Sequence, residues 1–323
     1  MPLLTSTRRD GDSRNMCIDE LNALVESGGM NEFIRVCEAR QCKVLSKIAD
    51  DIVSRPGTRF ILLAGASSAG KTTTAKRLCT QLRVNGADAV HFSTDDYFVG
   101  DARNPRDENG ELDYETVEAV DIPRLSSDIN ALLAGKNIHP RRFDFVKHDG
   151  YDEEGTMSVP PGGYIVLEGI HALNPRLTEG VPDECKYRIF VEPKTQPEVF
   201  CHTRLSSSDA RLMRRLVRDN QFRKMSPVDT FRLWPKVLEG EKKWINPFRC
   251  EADIEFDSAL EYEICVLKSY VAGLLEIVKR KSPDEVKAEM LSDLLLTVDS
   301  VSPVVVPGDS ILRETIGSSQ LEY

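Results

Sequence analysis

No stretch of this 323-residue chain is apolar for long enough to cross a bilayer. The longest such run, Phe60 to Ala66, falls far short of the roughly 20 residues that a spanning helix requires. Residues 1–15, MPLLTSTRRDGDSRN, lack the apolar core of a signal peptide and read instead as a disordered leader. Positive charge is in deficit: 42 Lys and Arg stand against 52 Asp and Glu, for a net charge of -10. Nucleic acid and anionic membranes are therefore poor partners, because both select a dominant positive field. The eight cysteines form no CxxC pair, and a chain of this length needs no disulfide framework. A reducing compartment, the cytoplasm, is the simple reading. Internal repeats and low-complexity tracts are absent as well.

What is present is ordinary globular composition, 41% hydrophobic, at a length that suits one large α/β domain with appendages or one domain plus a small second one. After the leader, apolar residues recur at helical spacing from Ile18 to Val25 and again from Phe33 to Ile52, so residues 16–57 are expected to form N-terminal helices ending near Pro56-Gly57. These helices are expected to pack on the domain. Apolar runs and helical patterns then alternate: strands at Arg59 to Ala64, Ala89 to Ser93, Tyr164 to Leu167 and Tyr187 to Val191, helices at Lys71 to Leu82, Ile122 to Ala134 and Ala210 to Arg218. Such alternation implies a parallel sheet with helices on both faces, spanning residues 58–255. Gly100 to Tyr114 reads as a long loop of the kind that is usually functional or disordered. Beyond Ile254 the pattern turns helical through 256–299, and 300–323 is a Pro-, Gly- and Ser-rich tail.

Gly65-Ala66-Ser67-Ser68-Ala69-Gly70-Lys71-Thr72 fits G-x-x-x-x-G-K-[ST], between an expected strand and an expected helix, the context in which this pattern forms a phosphate cradle. Its glycines let several backbone N–H groups point at one phosphate, and the following helix adds its positive end. Lys71 balances β- and γ-phosphate charge, the Thr72 hydroxyl is a ligand for Mg²⁺, and Thr73 continues the nucleotide contact. This assigns an α/β fold of P-loop NTPase type with helical N- and C-terminal additions. Glu168, directly after the apolar run Tyr164 to Leu167, supplies a second metal-side oxygen.

Transfer of a phosphoryl group to a hydroxyl gains from a carboxylate that takes the proton, while Mg²⁺ and basic groups hold the spreading charge. Asp95 and Asp96, in Ser93-Thr94-Asp95-Asp96-Tyr97-Phe98, stand at the end of a strand that faces the ligand crevice of an open α/β sheet. A pair of aspartates capping a turn fits the pattern equally well. Arg211, Arg214, Arg215 and Arg218 fall at i, i+3, i+4 and i+7, with Arg223 and Lys224 a turn later. Charge stripes are commonly solvated faces; beside a phosphate cradle, a polyphosphate-clamping lid over about 209–245 is the stronger reading.

On these residues the chain resembles the uridine kinase and phosphoribulokinase group of P-loop kinases. The resemblance implies that Asp95, in DDYF, is the catalytic base and also stands near the metal with Thr72 and Glu168. Glu115, opening the match YETVEAVD with Tyr114, would hold ribose hydroxyls. Phe143, Phe145 and His148, in FDFVKH, with Tyr97 and Arg211, would line the acceptor. Lys71, Arg214, Arg218 and Arg223 would serve catalysis. A closer resemblance, through QLRVNG, PRDENGE, LEGIHALNPRLT, WINPF and SILRETIG, is to uridine-kinase-like proteins that often carry an N-terminal TGS module, which is not found in these residues. Three departures stand out: Glu115 is one methylene longer than the usual Asp, Phe143 lacks a tyrosine hydroxyl, and Lys224 occupies a glycine position. The implied reaction moves the γ-phosphate of ATP, with Mg²⁺, to a uridine- or cytidine-like nucleoside 5'-hydroxyl. A sugar-like or polyol acceptor and a non-catalytic nucleotide-binding scaffold are the alternatives, and homo-oligomerisation stays open.

Overall fold

The runs Phe60–Ala64 (β1) and Tyr164–Glu168 (β5) are buried at every residue. Side chains of a strand alternate between faces, so such runs belong at the centre of a sheet covered on both sides. The computed structural model, which describes residues 16–200, 203–282 and 285–322, places them there. Ala89–Ser93 (β2), Lys186–Glu192 (β6) and Ile254–Asp257 (β9) complete a five-stranded sheet of order β2-β5-β1-β6-β9, with every pair parallel. Two antiparallel hairpins lie apart from it: Arg141–Asp144 (β3) with Asp149–Asp152 (β4), and Glu198–Phe200 (β7) with Thr203–Arg204 (β8). The leader expected at 1–15 lies outside the described residues.

The two faces of the sheet anchor two separate cores. Ile61, Leu63, Val166, Ile189 and Val191 share one core with the helices Met30–Ser54 and Lys71–Val84, whereas Phe60, Leu62, Ile165, Leu167 and Phe190 share the other with the helix Ile122–Leu133. In chain order the helices are α1 (Ile18–Glu26), α2 (Met30–Ser54), α3 (Lys71–Val84), α4 (Ile122–Leu133), α5 (Ser207–Phe222), α6 (Pro227–Gly240), α7 (Glu263–Lys281), α8 (Val286–Leu296) and α9 (Arg313–Ile316). On α2, the stripe Ile34, Cys37, Leu45, Ile48 and Ile52 is buried against the domain, so the N-terminal helices are part of the main core. A polar seam crosses the same interface: Arg77 on α3 bonds Glu38 and Gln41 at 3.4 and 3.2 Å, and the Tyr262 hydroxyl donates to Glu38 at 2.6 Å.

Two elements differ from the expectation drawn from the pattern. Ile254–Asp257 is a strand rather than the start of the helical region, because Phe256 fills the core beside β6 while the intervening acids face outward. Residues 300–322 are not a loose tail. Val306, Ile311, Leu312 and Ile316 are buried in the larger core, and Arg313 staples the segment by donating to the carbonyls of Pro303, Val306, Pro307 and Gly317. The loop at 100–114 is tethered to α6, where Lys236 donates to the Asp107 carboxylate at 2.6 Å and the Leu112 carbonyl at 2.9 Å.

The arginine stripe lies on α5, and α6 follows it in the chain. Helix α5 is capped by Ser206, whose hydroxyl accepts from the Asp209 amide, and the chain leaves it through Lys224 at φ 54°. A left-handed backbone costs an L side chain about 1–2 kcal/mol. Lys224→Gly should therefore stabilise the protein by roughly 0.5–1 kcal/mol, after the unfolded-state entropy of glycine is subtracted. Urea denaturation checks this: an unchanged or lower midpoint would mean that the lysine side chain contributes more than its backbone strain costs.

Candidate active site

The phosphate cradle is shaped by what surrounds it. A Cβ on Gly65 would run into the Val191 carbonyl of β6, and Gly70, left-handed at φ 85°, stands where a Cβ would come within 2.5 Å of Ile311. Both positions are closed to larger residues, and between them the loop curls. Lys71 is buried and folds back over the loop, its Nζ donating to the Ala66 carbonyl at 3.2 Å. The buried Ser68 hydroxyl has no hydrogen-bond partner among the described residues, a polar group left for a ligand oxygen. At the start of α3 the Thr72 hydroxyl donates to Glu168 and the Thr73 hydroxyl to Glu314, both at 2.9 Å.

Strand register brings the acids to the same edge. Because β2 and β5 pair Ser93 with Glu168, the chain after β2 emerges beside the end of β5. There the Ser93 hydroxyl accepts from the Asp95 amide at 3.2 Å, fixing a turn that leaves Asp95 Oδ1 buried and unpartnered among the described residues. Burial pushes the Glu168 carboxyl up to about 7, with Lys71 opposing the shift and Asp95 adding to it. His91, 4.0 Å from Glu168, is pushed down to about 3 by burial and by Lys76 and Arg142, so it is neutral. Asp96 is a network residue: it accepts from the Phe143 amide at 3.3 Å and from Arg142 at 3.4 Å, which ties the β3–β4 hairpin to the cleft. Burial raises its carboxyl to about 6 against the pull of Arg142.

These groups line a cleft of about 540 Å³, a size typical of small-ligand sites. Its walls include the cradle, Asp95, Asp96, Glu168, Phe145, Arg218 and Arg223. Burial and repulsion from Arg218 push the Arg223 guanidinium down to about 9, still charged at neutral pH, and it lies 3.9 Å over the Phe145 ring. Burial alone would raise the Asp219 carboxyl, but Arg218, Arg215 and Arg223 outweigh it and hold it low. Glu115 sits beside the cleft, against Gly240 at the end of α6. Burial lifts it to about 7, with Arg215 opposing and the charges of Asp113 and Asp95 adding.

Several residues expected in the site stand elsewhere. Arg214 is 1% exposed and faces away from the main cleft: it forks onto Glu263 at 2.5–2.8 Å and also donates to the carbonyls of Ser68 and Ser258. Its place is structural, holding the cradle to α7. Arg211 likewise donates to the Ser67 carbonyl at 3.4 Å and to Glu241 at 2.6 Å. The Tyr97 ring is buried and its hydroxyl donates to Asp128 at 3.0 Å, which supports the turn without facing the cleft. Phe143 packs edge-on among Phe98, Phe145 and Tyr114. His148 is half exposed, 3.3 Å from Asp101. Lys76, Arg142 and Glu314 line the cleft without having been singled out.

A family model described as "Phosphoribulokinase / Uridine kinase family" matches residues 60–264, more than half of the chain. The chain belongs to this family. A uridine kinase of Deinococcus deserti is 30% identical over 193 residues, covering 59% of this chain and 84% of the relative. One from Halobacterium salinarum is 31% identical, covering 59% and 76% respectively. A solved structure described as a possible uridine kinase, from Bacillus stearothermophilus, superposes with a TM-score of 0.45 at 18% identity, covering 68% of this chain and 100% of its own. This kinase fold carries an oxygen donor set that fits Mg²⁺: the Thr72 hydroxyl and the buried Glu168 carboxylate are in contact at the cradle mouth, with Asp95 close by. No cluster of three or more His, Cys, Asp or Glu arranged for a metal occurs among the described residues.

Breaking a buried ion pair strands its partner. Arg214→Ala should thus cost about 3–5 kcal/mol of stability, while Arg218→Ala, whose buried partner Asp219 keeps Arg215 at 3.1 Å, should lower the denaturation midpoint less and also lower kcat. Equal midpoints for the two variants would contradict this division. The acids predict a pH slope. Glu115 and Glu168 have folded-state values of about 7 against an ordinary 4.5. Between those values the unfolded chain has released protons that the native state retains, so ligand-free stability falls as pH rises from about 4.5 to 7. Glu115→Gln should flatten that slope; an unaltered profile in thermal melts at pH 5, 6, 7 and 8 would exclude burial of its charge.

Proposed function

We propose that this kinase transfers the γ-phosphate of ATP to the 5'-hydroxyl of a uridine- or cytidine-like nucleoside. The reading rests above all on Asp95, whose buried, unpartnered carboxylate oxygen faces the cleft between the phosphate cradle and Glu168. The two uridine kinase relatives supply the acceptor class.

The cradle amides and Lys71 hold the polyphosphate chain, so the γ-phosphorus points toward Asp95. Thr72 and Glu168 would hold Mg²⁺, which when bound would offset the charge on the phosphate oxygens. Asp95 accepts the proton of the acceptor hydroxyl as the new O–P bond forms. The bond to the β,γ-bridging oxygen breaks on the opposite side, and ADP leaves with that electron pair. Arg218 and Arg223 face the transferring group across the cleft and stabilise charge that grows on it. Glu115, beside the cleft, accepts the vicinal hydroxyls of the acceptor, most strongly in its ionised form. Phe145, which lines the cleft with Phe143 packed edge-on behind it, stands against the acceptor base. Tyr114, whose ring lies 6.3 Å from that of Phe143, brings a phenol to the same aromatic cluster, with its hydroxyl held by Asp101.

Turnover against a panel of nucleosides, sugars and polyols tests the acceptor class: uridine or cytidine should be phosphorylated with the highest kcat/KM. Asp95→Asn keeps the shape and removes the base, so kcat should fall by about 10²–10⁴ while ADP binding survives. Asp96→Asn should be milder. Normal turnover by the Asp95 variant would end the catalytic reading of this turn, and preference for a polyol would redirect the acceptor assignment.

A further inference from the structure

The family match ends at residue 264, yet the cleft does not. One wall is built from Arg313, Glu314, Gly317, Ser319 and Leu321, in the C-terminal segment beyond the matched region. This wall is anchored. Ile311 is 1% exposed against Gly70, Leu312 is fully buried, and Ser310 lies within hydrogen-bonding distance of the Tyr262 hydroxyl, at 3.3 Å. A segment held that firmly is a fixed part of the site rather than a strap that swings away.

The two threonines that open α3 define a direction across the cleft. Thr72 bonds Glu168, on the side of Asp95 where the γ-phosphate must lie for transfer; Thr73 bonds Glu314, in the C-terminal segment. A donor whose phosphates fill the cradle with the γ end toward Asp95 therefore extends its other end, the ribose and base, toward Glu314 and the residues after it. A carboxylate is a poor neighbour for phosphate oxygens and a good acceptor for ribose hydroxyls.

We infer that the C-terminal segment is the nucleoside-binding wall of the donor site, and that Glu314 accepts a ribose hydroxyl of the donor while disfavouring bare polyphosphate. The inference rests on reading the cleft as the ATP site and is independent of which acceptor is used. Arg313 acts here as a positioning residue, since its guanidinium holds the segment's carbonyls.

The test compares ADP with inorganic tripolyphosphate, two ligands that share the cradle and differ in the nucleoside. With the full chain, titration calorimetry should give an ADP Kd about tenfold weaker for Glu314→Ala, as expected for a lost hydrogen bond to a charged group. Tripolyphosphate should bind the variant as well as wild type, or more tightly. Glu314→Gln, which preserves the packing volume, serves as a second variant and should shift the two ligands in the same opposite senses. Unchanged ADP affinity in both variants overturns the inference. So does an equal loss for both ligands, which would mean that Glu314 acts only through the cradle. Failure of wild type to bind either ligand would sink the donor-site reading itself. Normal ADP discrimination without nucleoside turnover would sink only the acceptor assignment.

Discussion

A guanidinium with almost no access to water ties the site together. Arg214 reaches from α5 to Glu263 at the start of α7, to the carbonyl of Ser258 after β9 and to the carbonyl of Ser68 in the cradle. The Ser258 hydroxyl closes the same knot by donating to the Ala69 carbonyl at 2.6 Å. Two buried opposite charges are tolerable only when each is fully engaged. Helix α5, the segment after β9 and the phosphate loop are consequently held in one geometry. The stripe therefore divides its labour: Arg214 fixes α5 to the cradle, Arg215 bonds the Ser67 hydroxyl at 3.0 Å, and Arg223 and Arg218, the latter held by Asp219 at 2.8 Å, line the cleft.

Around that knot the cleft gathers acids that are difficult to ionise together. Glu168, Glu115 and Asp96 are all lifted by burial, and the charge of Asp95 adds to each shift. Lys71 and Arg215 offset part of this, but the ligand-free site still carries more carboxylates than it can comfortably charge. Cationic metal and the hydroxyls of an acceptor are the natural remedies, because each favours the ionised form. Binding of substrates and release of protons are thus coupled near neutral pH.

Much of this was legible in residues alone, and for identifiable reasons. The cradle and β1 are contiguous in sequence, and the two glycines sit where the Val191 carbonyl and the Ile311 side chain leave no room for a Cβ. The strands β2, β5 and β6 are apolar runs between turns. By contrast β9 is short and alternates with acids, so it merges with the helical pattern that follows. Within the stripe, spacing places Arg211, Arg214, Arg215 and Arg218 on one face, but a face of α5 has two sides, and only the position of Glu263 decides that Arg214 turns inward. The same limit hides the wall at 313–321: SILRETIG is visible as a motif, but its composition resembles a tail, and nothing local says that Ile311 covers Gly70.

That last contact has a consequence for how the molecule is made. Thr73 and Glu314 are separated by 241 residues, and the pairing closes one of the longest loops the chain can form. Closing a long loop costs little more free energy than closing a moderate one, yet contacts of such separation form late. On a ribosome the strand, the curl and α3 emerge well before the residues that will cover them. The nascent phosphate loop is therefore bare until the residues around 314 have been made, and the enclosure of Gly70 waits for them.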